Sequence, residues 1–281
     1  MLRLLIESGS TKSDVVIYKN SIVVKAFAKA GINPTTMSED HIAKIVFDIK
    51  SECTEEIGHI IFYGSGVKFE NKEILQRLIH LAFPNASIET YSDMLAAIRA
   101  SSNGLPSIVC ILGTGSNSCL SNGHDITHQK ISLGYLLGDE GSANDLGKKL
   151  LISYYYGYLK EEIRQELEQQ FPELKSNFIS DLYLNENKAE RLGQFGKFVI
   201  EHKSQSELHD IILLCLNNFY NRRLSYYSDH IDLPIYFIGT IAHHLQTEIC
   251  QVIQPYGFTN IHFSKKPIED LMRYHLQHER N

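Results

Sequence analysis

The sequence predicts an α/β protein made of two related halves. The first observation is a hairpin at residues 2–18. Leu2, Leu4 and Ile6 form one apolar run, Val15, Val16, Ile17 and Tyr18 form a β-branched and aromatic one, and Glu7-Ser8-Gly9-Ser10-Thr11-Lys12-Ser13-Asp14 lies between them. The second is a repeat of that pattern roughly a hundred residues later: S-I-V-C-I-L leads into Gly113-Thr114-Gly115-Ser116-Asn117-Ser118, then Cys119-Leu120 and the turn Ser121-Asn122-Gly123. The third is the order of the remaining elements in the first half, which reads βββαβαβα.

Each hairpin has the makings of a phosphate cradle. Gly9 lets backbone approach an anion closely. Ser10, Thr11 and Ser13 offer hydroxyls, and Lys12 offers a point charge for either phosphate or solvent. No G-x-x-x-x-G-K-[ST] is present, so this is not a Walker loop. One such hairpin alone is equally an ordinary polar turn. Two of them, facing each other, could hold a nucleotide triphosphate.

Length and composition bound the rest. The 281 residues suit two domains, read as 1–104 and 105–281 with a helical insertion at about 157–230. A hydrophobic content of 43% and a charged content of 21% are globular. The net charge of −6, without a Lys/Arg cluster, argues against nucleic acid as partner. No apolar run approaches the ~20 residues of a membrane span. The chain enters a strand at once, with no signal-peptide pattern, so a cytoplasmic location is expected. Five scattered cysteines without C-x-x-C suit buried thiols in a reducing compartment better than disulfides, zinc or an iron–sulfur cluster. Trp is absent, which excludes sugar stacking on indole.

In chain order, residues 21–28 read as a third strand. Asn33 precedes Pro34 and is biased out of helix. Ser38 caps a helix whose apolar face is Ile42, Ile45, Val46 and Ile49. Residues 59–63 form a strand ending in Gly64-Ser65-Gly66, 71–82 a helix, 86–90 a strand, and Ser92-Asp93 opens a helix to Ala100. Ser101-Ser102-Asn103-Gly104 is the expected hinge. After the second hairpin come a strand at 126–131, the run Leu133 to Ser142 and a helix to about Tyr156. Ser206 caps an amphipathic helix with Leu208, Ile211, Ile212, Cys215, Leu216 and Phe219 inward. A strand at 233–238 leads into Gly239-Thr240-Ile241-Ala242-His243 and a helix, then a strand at 261–263 and a last helix. Residues 157–205 are charged and helical and are read as a lid or a dimer surface, the latter making a homodimer.

Together the hairpin, G-I-N-P, S-D-M-L-A-A, G-T-G-S-N-S, L-G-x-x-x-G-D-E-G-S, I-G-T-I-A-H and K-x-P-x-E-x-L at 265–271 resemble the N-acetylglucosamine kinases. The closest resemblance is to the BadF/BadG/BcrA/BcrD ATPase family of the actin–hexokinase–Hsp70 superfamily. It covers nearly the whole chain and is least distinct over 157–230. It implies two actin-like (ribonuclease H-like) lobes, each a mixed five-stranded sheet with helices, with a cleft between them. It also implies ATP with Mg2+ and an amino-sugar 6-hydroxyl as acceptor. Carried over, Gly9, Ser10, Thr11, Lys12, Thr114 and Gly115 would meet the phosphates, and Gly239 and His243 the adenosine. Asn33, Asp93, Ser116, Asn117 and Asp139 would hold the sugar, with Asp93 as base. Glu7 stands where many relatives have an Asp that aids magnesium through water.

Each of these has an ordinary alternative. Asp93 on its own reads as a helix cap. Asp139 and Glu140 read as first-turn acids that complement a helix dipole, although a carboxylate also suits a vicinal diol. Asn33 reads as a loop residue, Glu7 as a strand-end acid, and His243-His244 as structural. The run Ser132-Leu133-Gly134-Tyr135 replaces the Trp-bearing G-W-G-H of eukaryotic relatives. That leaves room for glucosamine or N-acetylmuramic acid beside N-acetylglucosamine. Two non-kinase roles remain in the same fold. One is an ATPase that activates a dehydratase through a shared iron–sulfur cluster, which needs paired cysteines. The other is a sugar sensor, which would carry a helix-turn-helix arm.

Overall fold

In the computed structural model, residues 1–185, 188–265 and 267–278 are described. The chain first makes a meander: β1 (Leu2–Ser8), β2 (Lys12–Lys19) and β3 (Ile22–Ala30), antiparallel throughout. Helix α1 (Glu39–Ser51) then returns the chain so that β4 (Ile57–Gly64) runs parallel to β1. Helix α2 (Phe69–Ala82) does the same for β5 (Ser87–Ser92), and α3 (Asp93–Ser101) follows. Parallel pairing demands such crossovers, and helices on both faces explain why β1 and β4 are nearly continuous apolar runs. Ser38 caps α1 through the His41 N–H, and Ile42, Ile45, Val46 and Ile49 are buried as the spacing predicts.

The rest comprises β6 (Ser107–Leu112), β7 (Ser116–Ser121), β8 (Ile126–His128), α4 (Gly134–Leu137), α5 (Ala143–Tyr155), α6 (Glu161–Gln170), α7 (Phe178–Leu184), α8 (Lys188–Glu201), α9 (Ser206–Arg222), β9 (Ile235–Ile238), α10 (Thr240–His244), α11 (Gln246–Ile253), β10 (Ile261–Ser264) and α12 (Pro267–His278). The two sheets are ordered β3-β2-β1-β4-β5 and β10-β9-β6-β7-β8. Read from the meander side, the second order repeats the first. The repeat in the sequence is therefore a repeat of topology, and the expected two mixed five-stranded sheets with helices are present.

Some boundaries move. Strand β8 ends at His128, short of the expected 131. Ser206 does not cap α9: Gln205 holds the cap position, and the Ser206 hydroxyl donates to Glu207 instead. The six inward residues of α9 are buried all the same. Residues 157–185 and 188–205 form α6 to α8, whose Phe171, Phe178, Phe195 and Phe198 pack ring against ring. Glu186 and Asn187 of the insertion, and Lys266 of the K-x-P-x-E-x-L segment, lie outside the described residues. Among the described residues no helix is long and apolar enough to cross a membrane.

By contacts the chain forms two compact units. One takes Met1–Val109, Cys119–Gln129 and the stretch from Ser264; the other takes Cys110–Ser118 and Lys130–Phe263. In the first unit, α1 and α2 bury one face of sheet one, with Leu4, Ile6, Ile60 and Phe62 inside. On the other face Ile268, Leu271 and Met272 of α12 join Leu5, Ile61, Tyr63 and Ala96.

That second face holds a titratable group. Arg99 donates to the Tyr63 hydroxyl at 2.6 Å, and the same hydroxyl meets His275 Nε2 at 2.9 Å. An Nε2 that accepts from Tyr63 must be neutral. Burial, then the Arg99 charge, hold His275 down at about 4, against 6.5 for a free histidine. A lowered histidine pKa means that the unfolded chain binds more protons between these values. Stability from this group is therefore complete above 6.5 and lost as pH falls toward 4. Between pH 7 and pH 5, the urea midpoint of the protein is expected to drop more than that of His275→Phe. Equal slopes for both proteins would contradict the assignment.

Candidate functional site

In the first unit the site grows from strand direction. Because β1, β4 and β5 are parallel, their C-terminal ends share one edge of the sheet. The register brings Ser8 level with Gly64, Gly64 with Ser92, and Glu7 with Asp14 across the hairpin. Ligands of open α/β sheets bind at such carboxyl ends.

The hairpin turn closes with the Gly9 N–H donating to Lys12 O at 2.9 Å. Ser10, Thr11 and Lys12 are at the turn, and Thr11 and Lys12 are exposed. Lys12 pairs with Asp14 at 2.6 Å, a partner neither sequence reading offered. Ser13, proposed as a phosphate hydroxyl, is fully buried and occupied. It donates to Ser8 Oγ at 2.8 Å and lies 2.9 Å from Ala30 O, while the Ile32 N–H donates to Ser8 Oγ at 2.7 Å. The two serines stitch the hairpin to the segment before Asn33, because alternation turns both inward. Gly31 completes this seat, since a Cβ there would collide with the backbone of Gly9, Ser10 and Thr11.

Asn33 bridges the hairpin and its own loop. Its Nδ2 donates to Ser10 Oγ at 3.2 Å, and its Oδ1 accepts the Thr35 N–H at 3.0 Å. Gly66, at φ +75°, leaves space for that amide, because any Cβ would strike Asn33 Oδ1.

Asp93 is not the cap of its helix. Ser92 is, accepting the Leu95 N–H at 3.2 Å, and this leaves Asp93 as the first helical residue. Asp93 Oδ2 accepts from Ser65 Oγ at 2.7 Å, and Oδ1 accepts the Met94 N–H at 2.8 Å. Burial raises its pKa despite these donors. Glu7 is pushed up to about 8 by burial, then by Asp14 and Asp93, with Lys12 opposing. Sequence reasoning missed Ser65. The only signal was the Gly64-Ser65-Gly66 stop at the end of a strand.

The second unit holds the other hairpin. The Gly113 N–H donates to Gly115 O at 2.9 Å, and the first two N–H groups of α5 donate to Gly113 O and Thr114 O at 3.0 and 3.1 Å. Asp139 is a loop residue at φ +61°, and Ser142, three residues on, caps α5. Asp139 and Glu140 are therefore not first-turn acids; Asp145 is. Gly115 lies close enough that a Cβ would sit 2.7 Å from Asp139 Oδ2. Burial raises the Asp139 pKa, opposed by the Ser116 N–H, Asn144, Lys148 and Arg223. Ser116 Oγ is buried with no partner among the described residues. Asn117 Oδ1 accepts the Ser118 N–H at 2.9 Å.

The run that replaces the Trp-bearing loop is held from behind. Lys148 Nζ donates to Tyr135 O at 2.8 Å and Gly138 O at 3.2 Å, and Arg223 donates to Ile131 O at 3.0 Å. Glu140 pairs with Arg222 and Arg223 at 3.1 and 3.4 Å, and these donors outweigh burial to lower its pKa. Gly239 adopts φ +117° against Leu112 O, which fixes the start of α10 under the hairpin strand. His243 is exposed and 3.2 Å from Gln246 Nε2, so nothing in its surroundings marks it beyond a helix surface.

Cys110 and Cys119 are fully buried, and burial pushes the Cys119 thiol up to about 12. Such a thiol is a poor cluster ligand. Among the described residues no group of three or more His, Cys, Asp or Glu could hold a metal.

Two sheets of one repeated topology, each with a polar hairpin at its first strand pair, define an actin-like ATPase fold. Solved structures agree. A Porphyromonas gingivalis protein provisionally named N-acetylglucosamine kinase is 30% identical, with 98% of this chain and 99% of that chain covered and a TM-score of 0.87. The chain belongs to the N-acetylglucosamine kinase-like family that this relative represents. A Chromobacterium violaceum protein with the same provisional name shares the fold at 12% identity, with 97% and 98% covered and a TM-score of 0.76. The ROK hexokinase of Thermus thermophilus shares it at 13% identity, with 99% and 98% covered and a TM-score of 0.52. No family model matches the chain, and no curated protein matches it.

Proposed function

We propose that this protein is an ATP-dependent sugar kinase that phosphorylates N-acetylglucosamine on its 6-hydroxyl. The observation that carries the reading is Asp93: a buried carboxylate at the carboxyl ends of the parallel strands β1, β4 and β5, held by Ser65 and the Met94 N–H, in a chain of this family. Phosphoryl transfer needs positioning, charge stabilisation and a base for the hydroxyl. Asp93 takes the proton of the 6-hydroxyl as that oxygen bonds to the γ-phosphorus and ADP leaves. Its raised pKa makes it the better base. Ser65 keeps Oδ2 oriented.

In this reading the phosphate contacts are Gly9, Ser10, Thr11 and Lys12 of the first hairpin and Thr114 and Gly115 of the second. Asn33, Ser116, Asn117 and Asp139 offer donors and acceptors for sugar hydroxyls, and Gly239 and His243 belong to the adenosine side. The residues also fit magnesium. Burial lifts Glu7 to about 8, and repulsion from Asp14 and Asp93 adds to it; a cation would relieve that repulsion. Glu7 and Asp14 would hold it through water, since magnesium keeps most of its waters. It would supply charge neutralisation on the phosphates.

The test is product analysis. Incubation with ATP and magnesium should convert N-acetylglucosamine to a monophosphate whose phosphorus couples to the C6 protons. N-acetylmuramic acid, glucosamine and glucose serve as competitors. Phosphate on another carbon would overturn the position, and preference for a competitor the substrate.

A further inference from the structure

Helix α4 has four residues, too few to hold itself, and it buries no side chain. Leu133, Leu136 and Leu137 are exposed, the last two by 72% and 73%, so apolar packing does not fix the segment 131–138 either. What fixes it is polar. Inside it, the Gly138 N–H donates to Gly134 O at 2.8 Å. From outside, Arg223 donates to Ile131 O, and Lys148 Nζ donates to both Tyr135 O and Gly138 O.

Asp139 follows at once. Its φ of +61° is a left-handed backbone that a residue with a Cβ keeps only where its surroundings impose it. Helix α5 imposes it from both flanks. Lys148 takes the Gly138 carbonyl before Asp139 at 3.2 Å, and Asp145 Oδ2 accepts the Gly141 N–H after it at 3.1 Å. Asp145 and Lys148 are three residues apart, so they share one face of the helix. Asp145 also serves the helix itself, as the acid of its first turn and the donor to the Ser142 cap. Lys148 has no such second task. It is half-buried, its ammonium makes no ion pair among the described residues, and both of its bonds end on this segment. Taking a charge partly out of water is costly unless bonds offset it, and here two backbone carbonyls do so.

We infer that Lys148 is a positioning residue for the acceptor: through Tyr135 O and Gly138 O it fixes the 131–138 segment and the backbone from which the Asp139 carboxylate projects, and so sets affinity for the sugar but not for the nucleotide. This rests on the kinase reading for the identity of the ligand alone. Charge adds to the geometry. Lys148 and Arg223 are the cations that oppose the rise of the Asp139 pKa caused by burial. Without Lys148 that pKa moves up, and the charged, accepting form of Asp139 is lost at a higher pH.

The test is Lys148→Met, which keeps the stem and the helix propensity and removes the ammonium. Calorimetry is expected to show N-acetylglucosamine bound roughly tenfold or more weakly, as the loss of charge-assisted bonds implies, with ADP bound within about twofold of the unmodified protein. The acid limb of sugar binding should move to higher pH in Lys148→Met, and Lys148→Arg, which keeps the charge, should restore it. Hydrogen exchange at the Gly138 amide should quicken by roughly tenfold or more while the interior of α5 is unaffected. Sugar and ADP affinities that fall together with Tm would make Lys148 a scaffold residue and overturn the inference. Unchanged sugar affinity would overturn it too. If the unmodified protein binds no N-acetylglucosamine, the kinase reading fails and Gly138 exchange decides alone: faster exchange in Lys148→Met upholds the positioning of the segment, and unchanged exchange removes it.

Discussion

Asp93→Asn is expected to lower sugar-dependent turnover by at least about a hundredfold, the usual contribution of a positioned general base. The geometry says why so much hangs on one oxygen. An amide in its place still accepts from Ser65 or from the Met94 N–H, so local structure survives. It cannot take the proton of an attacking hydroxyl. Thermal stability should hold or rise, because the buried carboxylate, its pKa raised, disfavours its own charge. The KM for sugar should move far less than kcat. Steady-state kinetics on both proteins, with thermal unfolding alongside, checks this. A fall in Tm that tracks the fall in activity would move Asp93 from chemistry to scaffolding.

The second large effect is on the fold. Gly196→Ala should cost about 1–3 kcal/mol, because the added methyl meets the Ala143 carbonyl, which is backbone and has nowhere to go. Ala143 begins α5, and its N–H is tied to Gly113 O, so the strain reaches the second hairpin. Denaturant unfolding should show a lower midpoint. Gly157→Ser, at a position where an added Cβ meets nothing within 4 Å but φ is +72°, separates conformational strain from collision. A midpoint unchanged in Gly196→Ala would mean that the helices part freely.

Much of the architecture was legible because it rests on period and punctuation. The two hairpins, the inward face of α1 and the six inward residues of α9 follow from spacing alone. So does the repeat, which the two sheet orders bear out. Capping was legible only to within one residue. Ser92 and Asp93 are both good caps in sequence, and the structure gives the task to Ser92. Asp139 looked like a helix opener because Ser142, the actual cap, stands three residues further on, beyond a left-handed turn that no local propensity announces. Ser13 looked available because a hydroxyl in a polar turn usually is; its burial comes from β2 starting at Lys12, three residues before the apolar run, so that Ser13 already pairs with Ser8. Ser65 and Arg223 were invisible because each acts on a partner distant in sequence, and one chain carries no signal for such pairs. The packing of α12 on α3 and on sheet one belongs to the same class.

The most direct test of the account is ADP release by the protein with magnesium and ATP, followed with and without N-acetylglucosamine. The account predicts release that depends on the sugar and disappears in Asp93→Asn. Release at the same rate without sugar, retained in Asp93→Asn, would contradict it and make the protein an ATPase whose target lies elsewhere.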